Sequence, residues 1–136
     1  MKIYIMLLLL IGTFLNAQEL SKAESYEAAK AQAFKENKYL MVLITTENCR
    51  YCKKMKKTTF VVPKVIDRIE KDYIFVEVNR DFDEYPDHLT VYGVPTTYFL
   101  YNDGEPIMRA VGGYWNSVDF LSFMDDADRK LLKGRE

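Results

Sequence analysis

The chain is 136 residues long, 49% hydrophobic and 29% charged, with a formal net charge of -1. That is enough material for one globular domain with a single core, and it lacks the basic excess usual in a nucleic-acid binder. Two cysteines and one histidine are too few for an ordinary four-ligand structural zinc site, and neither repeats nor low-complexity segments are visible.

Lys2 precedes an apolar run from Ile3 to Leu15, broken only by Gly12 and Thr13, and Asn16-Ala17 then offers a small residue at a cleavage point. Residues 1–17 therefore read as a secretory signal peptide cut after Ala17. The run is short for a membrane span, which makes a retained anchor the weaker alternative. No cysteine lies near the cut, so lipid attachment to a new N-terminal Cys is excluded. Residues 18–136 are expected to form the mature domain, periplasmic or otherwise secreted, where a lone cysteine pair is redox-competent.

From Ser21 the pattern turns helical. Ser21 or Ser25 can cap, and Ala23, Tyr26, Ala29, Ala33 and Phe34 recur at three- and four-residue spacing until Asn37. Tyr39 to Thr45 is a continuous apolar run of strand length, as expected of a strand buried on both faces.

The chemistry is expected where that run gives way to Asn48-Cys49-Arg50-Tyr51-Cys52-Lys53-Lys54-Met55. A cysteine in the first turn of a helix faces unpaired N–H groups and the positive end of the helix dipole, which favour thiolate. Cys49 is thus the predicted nucleophile, with Arg50 adding positive charge beside it. Cys52, three residues on, returns to nearly the same side but deeper, as a resolving thiol. A structural disulfide is the blander reading, but one closing so short a loop is a weak staple. Covalent c-type haem attachment is excluded, because Lys53 stands where that motif needs His. Cys52, Met55 and Thr59 share a face. Lys53, Lys54, Lys56 and Lys57 read first as a solvated helix face, with a docking patch for an acidic partner as the alternative.

Val62-Pro63 to Lys71 predicts a helix with Val65, Ile66 and Ile69 inward and Pro63 in its first turn. Tyr73 to Asn79 predicts a second strand, parallel to the first through a right-handed crossover. An acidic loop, Arg80 to Pro86, leads to a short predicted helix, Asp87 to Tyr92, and His88 within it reads as a surface residue. Strand Thr97 to Tyr101 follows, the turn Asn102-Asp103-Gly104 sends Pro106 to Val111 back antiparallel, and Gly112-Gly113 marks a loop of close approach. Asn116 or Ser117 caps a last helix reaching Leu132, with Phe120, Leu121 and Met124 inward. Trp115 and the ten tyrosines read as core or groove lining, with Tyr114 and Trp115, which follow Gly112-Gly113, as the candidates to border a groove.

This order of elements resembles the thioredoxin fold over roughly Leu20 to Leu132. The cysteine motif, followed by Tyr92-Gly93-Val94-Pro95-Thr96, is similar to secreted bacterial thioredoxin-related proteins and to the C-terminal domain of the membrane thiol:disulfide interchange reductase. The resemblance implies an α/β fold: a central mixed four-stranded sheet, two parallel strands then an antiparallel hairpin, flanked by helices, with an extra N-terminal helix. Pro95 matches the family's cis-proline beside the cysteines, Val94 offers backbone for pairing with an extended substrate, and Gly112 keeps the neighbouring loop close. Asn48, Arg50, Tyr51, Val94, Pro95, Thr96 and Gly112 then line the substrate groove.

The chain departs from thioredoxin in having Asn48 for Trp, Arg50-Tyr51 for Gly-Pro, and Leu43 for the buried Asp that helps deprotonate the resolving thiol. Glu77 falls where the family has a lysine. It is the hypothesised replacement proton acceptor for Cys52, with an elevated pKa if buried; alternatively it is a charge protecting a sheet edge. The resemblance implies a protein-disulfide oxidoreductase, reducing rather than oxidising, with no metal and no cofactor beyond its own dithiol. Protein thiols and disulfides are its expected substrates and a membrane thiol reductase its expected electron donor; no nucleic acid and no stable membrane anchor are expected. The rival is a module that holds a soft metal, copper(I), with the same cysteine pair.

Overall fold

The computed structural model describes residues 17–135. Apart from Ala17, the leader expected over residues 1–17 lies outside the described residues. The elements in chain order are α1 (Tyr26–Glu36), β1 (Tyr39–Thr45), α2 (Arg50–Thr58), α3 (Pro63–Asp72), β2 (Tyr73–Asn79), β3 (Thr96–Leu100), β4 (Val111–Gly112) and α4 (Ser117–Lys133). The sheet order is β2-β1-β3-β4, with β1 parallel to β2 and antiparallel to β3.

β1 is central, and Leu40 to Thr45 are all buried, because successive side chains point to opposite faces and both faces are covered. Met41 and Leu43 join Met55 of α2, Val65, Ile66 and Ile69 of α3, and Phe120 and Met124 of α4 in one core layer. Leu40, Val42 and Ile44 point the other way, onto Tyr26, Ala29 and Ala33 of α1. The predicted inward faces of α1 and α3 thus hold, with two exceptions: Ala23, which precedes the helix and is only partly buried, and Phe34, which is 77% exposed. Phe34 lies beyond the narrow stripe of Tyr26, Ala29 and Ala33, through which α1 approaches the sheet closely.

Local chemistry fixes the ends of these elements. Ser25 Oγ accepts the Ala28 N–H at 3.1 Å, Asn37 closes α1 at φ 53°, and Pro63 opens α3 where a missing N–H costs nothing. Asn116 Oδ1 accepts the Asp119 N–H at 3.0 Å to start α4. β2 is an edge strand, partly covered by the segment before α1: Leu20 is buried and the Ala23 N–H donates to Phe75 O at 2.9 Å.

Two expectations are corrected. Residues 87–92 form no helix; the segment is a turn anchored by buried Leu89 and by Tyr98 Oη, which donates to Thr90 O at 2.6 Å. Six residues between Pro86 and Gly93 give few intrahelical bonds, and these anchors take their place. The return strand from Pro106 to Val111 is also broken. Pro106 makes an isolated bridge with Leu100, the Ile107 N–H reaches Phe99 O, and only Val111–Gly112 pairs regularly with β3. Proline brings no ladder donor, and the chain bends after Ile107 has reached the core.

Candidate active site

β1 ends at Thr45, and four residues later Cys49 is the N-cap of α2. Its Sγ accepts the Cys52 N–H at 3.1 Å, so the sulfur occupies the place of a capping oxygen and meets an otherwise unpaired donor. Cys49 and Cys52 are joined as a disulfide with a Cα–Cα distance of 5.2 Å. Cys49 is 8% exposed and Cys52 1%, so both residues are buried, Cys52 the more completely. The inward face of α2 is completed by Met55 and by Thr59, whose Oγ1 donates to Trp115 O at 2.6 Å.

The strand register brings the proline to the same end of the sheet. Thr96 pairs with Ile44, so the preceding Val94–Pro95 peptide, which is cis, lies beside the end of β1 from which the cysteine loop departs. Pro95 O accepts the Gly113 N–H at 2.8 Å and Thr96 Oγ1 donates to Gly93 O at 2.6 Å. Val94, Thr96 and Gly112 line one open depression together with Tyr92 and Arg109. Asn48, Arg50 and Tyr51 stand exposed at the start of α2 and do not line it. Tyr114 ties the two regions: its ring centroid is 6.5 Å from that of Tyr51, its hydroxyl is 3.2 Å from Thr58 Oγ1, and Lys54 Nζ lies 4.5 Å above it.

Behind the pair, Cys52 lines a second cavity with Thr45, Lys56 and Glu77. Glu77 is on the edge strand, as the alternative reading of this residue has it. Its Oε1 accepts from Lys56 Nζ at 2.7 Å and from Thr45 Oγ1 at 3.2 Å, and Lys22 Nζ stands 3.6 Å from Oε2. Partial burial raises the carboxyl's pKa, but the hydrogen bond and charge of Lys56, with Lys22 and Thr45, outweigh it and hold the group below the usual carboxylate range. The elevated pKa expected of a buried Glu77 is therefore corrected to a lowered one, because burial comes with a cation. Leu43, at the place of the missing Asp, is fully buried in the core.

Lys56 and Thr45 were not singled out by sequence reasoning as part of this site. A signal existed for Lys56, four residues after Cys52 and so beside it on the helix, but it was masked by the lysines around it. Once reduced, the two thiols are the soft donors of the site; among the described residues no group of three or more His, Cys, Asp or Glu converges.

A family model for the thioredoxin-like domain matches residues 26–128. Among solved structures, the chain is similar to the oxidoreductase DsbH, at 20% identity and TM-score 0.67 with 88% of each chain covered. It is also similar to a thioredoxin from Thermus thermophilus, at 24% identity and TM-score 0.62, covering 86% of this chain and 91% of that one. A third is the reduced C-terminal domain of DsbD from Neisseria meningitidis, at 20% identity and TM-score 0.58, covering 74% and 92%. These likenesses concern the fold. Comparison with curated proteins finds no match.

Proposed function

The chain belongs to the thioredoxin-like domain family, and from that premise we propose that it is a secreted protein thiol:disulfide oxidoreductase that reduces substrate disulfides through Cys49 and Cys52. The observation that carries this reading is the Cys49 sulfur at the tip of α2, accepting a helix N–H, with Cys52 buried behind it.

The Cys49 thiolate attacks one sulfur of a substrate disulfide. A mixed disulfide forms, and the other substrate sulfur leaves as a thiolate that takes a proton from water. Cys52 then gives up its proton and attacks Cys49 Sγ, which releases the second substrate thiol and closes the Cys49–Cys52 bond. Two electrons pass from protein to substrate. Glu77, in the cavity that Cys52 also lines, is the acceptor of the Cys52 proton, directly or through water; Lys56 keeps it ionised and so able to accept, though a weaker base. Val94, Pro95, Thr96 and Gly112 receive the extended substrate on one side of the pair, with Asn48, Arg50 and Tyr51 on the other. A membrane thiol reductase returns the electrons, and residues 1–17 direct the chain to the periplasm.

The test is trapping. Cys52→Ser leaves the mixed disulfide unresolved and retains partner proteins through Cys49, whereas Cys49→Ser retains none. Trapping by neither variant, with tight copper(I) binding by the reduced protein, would replace this reading with a metal-delivery module. The direction of electron flow is read from the reduction potential of the pair, near about -270 mV for a reductase and about -120 mV for an oxidant. A Glu77→Gln variant whose resolution rate keeps the wild-type pH profile removes that residue from the proton transfer.

A further inference from the structure

The charge on α2 is unusual in kind and place. Arg50, Lys53, Lys54 and Lys57 are all exposed and recur at i, i+3, i+4 and i+7, so they form one stripe diametrically opposite the buried Cys52, Met55 and Thr59. Among the described residues none of the four makes an ion pair. The first turn holds no acidic residue, and Glu47 is the sole carboxylate between Thr46 and Thr58.

This arrangement works against the helix that carries it. Arg50 and Lys53 sit near the positive end of the helix dipole, where cations are disfavoured. Arg50–Lys53, Arg50–Lys54, Lys53–Lys57 and Lys54–Lys57 are like-charge neighbours at three- and four-residue spacing, each destabilising. Lys54 recovers part of the cost over the Tyr114 ring, and the adjacent Lys56, outside the stripe, is paired with Glu77. A solvated face needs no such concentration in a chain of net charge -1. Exposed Asp81, Asp83, Glu84 and Asp87 follow β2 at the same end of the sheet as the cysteine loop, and Asp83 lines the cavity behind Cys52 together with Lys53. The stripe is therefore a local basic patch on the outer face of α2, bordered by acidic chain rather than part of a wholly positive end.

We propose that the Arg50–Lys53–Lys54–Lys57 stripe is a docking surface for protein substrates whose disulfide is flanked by acidic side chains. The stripe starts at the residue after Cys49 and runs about 10 Å along the helix at 1.5 Å per residue, so a disulfide held at Cys49 brings its flanking surface over it. Opposite charge raises the encounter rate and selects among partners more than it deepens affinity. The exposed ring of Tyr51, within α2 itself, supplies apolar contact beside the charge, which suits a polypeptide better than a bare anionic surface. This inference rests on the oxidoreductase reading.

The test uses the reduced full-length mature protein and two synthetic peptides, each with one internal disulfide, flanked by three glutamates in one and three lysines in the other. At low salt the acidic peptide is expected to be reduced about tenfold faster, as electrostatic steering allows. The difference should collapse near about 1 M salt, where the screening length falls to about 3 Å. In the Lys53→Gln/Lys54→Gln/Lys57→Gln variant, with folding checked by circular dichroism, the low-salt ratio should fall toward one. Equal rates, or a preference for the basic peptide, overturn the docking surface and leave the oxidoreductase intact; no exchange with either peptide brings down both. Binding to phosphatidylglycerol vesicles through these lysines, with no preference between peptides, would assign the stripe to lipid and also overturn the proposal.

Discussion

Lys56 Nζ lies 2.7 Å from Glu77 Oε1 and thereby ties the active-site helix α2 to the edge strand β2. The pair is a structural clamp, because the two elements meet through it at the wall of the cavity behind Cys52. Its contribution depends on pH with a definite sign. Glu77 has its folded-state pKa below the ordinary 4.5, so the stability it adds is present above that value and is lost as pH falls through the folded-state pKa. Glu77→Gln should cost about 1 kcal/mol near neutrality, with exposed Lys56 partly screened. It should also make stability less sensitive to acid below about pH 4.5. Urea titrations at pH 7 and pH 3 check this, and curves displaced equally at both pH values would contradict it.

The difference in burial between the two cysteine residues, 8% against 1% exposed, predicts one-sided alkylation. Iodoacetamide added to the reduced protein should modify Cys49 first and leave Cys52 protected while the fold persists. Peptide mass mapping after brief exposure reads the result; equal labelling would place the second thiol as near the surface as the first.

Phe120 is fully buried, with its ring 5.1 Å from Phe60 and 6.1 Å from Phe99. It joins α4, the segment after α2, and β3. Phe120→Ala should cost about 3–5 kcal/mol by removing apolar contact and leaving a cavity. A urea midpoint shifted by less than a third of that would mean the neighbouring rings collapse into the space.

Two glycines should behave oppositely. Gly104 sits at φ +98°, and a Cβ there would lie 2.7 Å from Tyr26 Oη, on a side chain buried against β1. Gly104→Ala should lose about 1–3 kcal/mol from backbone strain and overlap. At Gly112 an added Cβ meets nothing within 4 Å, so Gly112→Ala should fold with stability within about 0.5 kcal/mol of wild type. Denaturant midpoints compare the two, and any slowing of exchange in Gly112→Ala reports on the groove rather than on the fold.

What could be read from sequence followed the range of the interactions involved. β1 and β2 lie where the apolar runs Tyr39–Thr45 and Tyr73–Asn79 predict them, because a strand covered on both faces writes its burial into consecutive residues. The cysteine pair was legible for a similar reason: the helix N-terminus and both cysteines occupy four residues. Residues 87–92 misled because Leu89 is held by tertiary packing, which overrides a weak helical pattern. The partners of Glu77 were out of reach, since Lys56 is 21 positions away and Thr45 is 32; the parallel pairing of β1 with β2 brings Thr45 to it, and the side chain of Lys56 reaches it from α2.

Trp115 is the one tryptophan in the chain. Its Nε1–H donates to Gly112 O at 3.0 Å, its carbonyl accepts from Thr59, and its ring packs on Phe123 at 5.0 Å. A tryptophan whose indole is bonded to the glycine loop and whose backbone is bonded to the end of the cysteine helix is a built-in optical reporter. Opening or closing of the sulfur bridge, or arrival of a peptide at Gly112, should register in its emission, so turnover can be followed on the unlabelled protein.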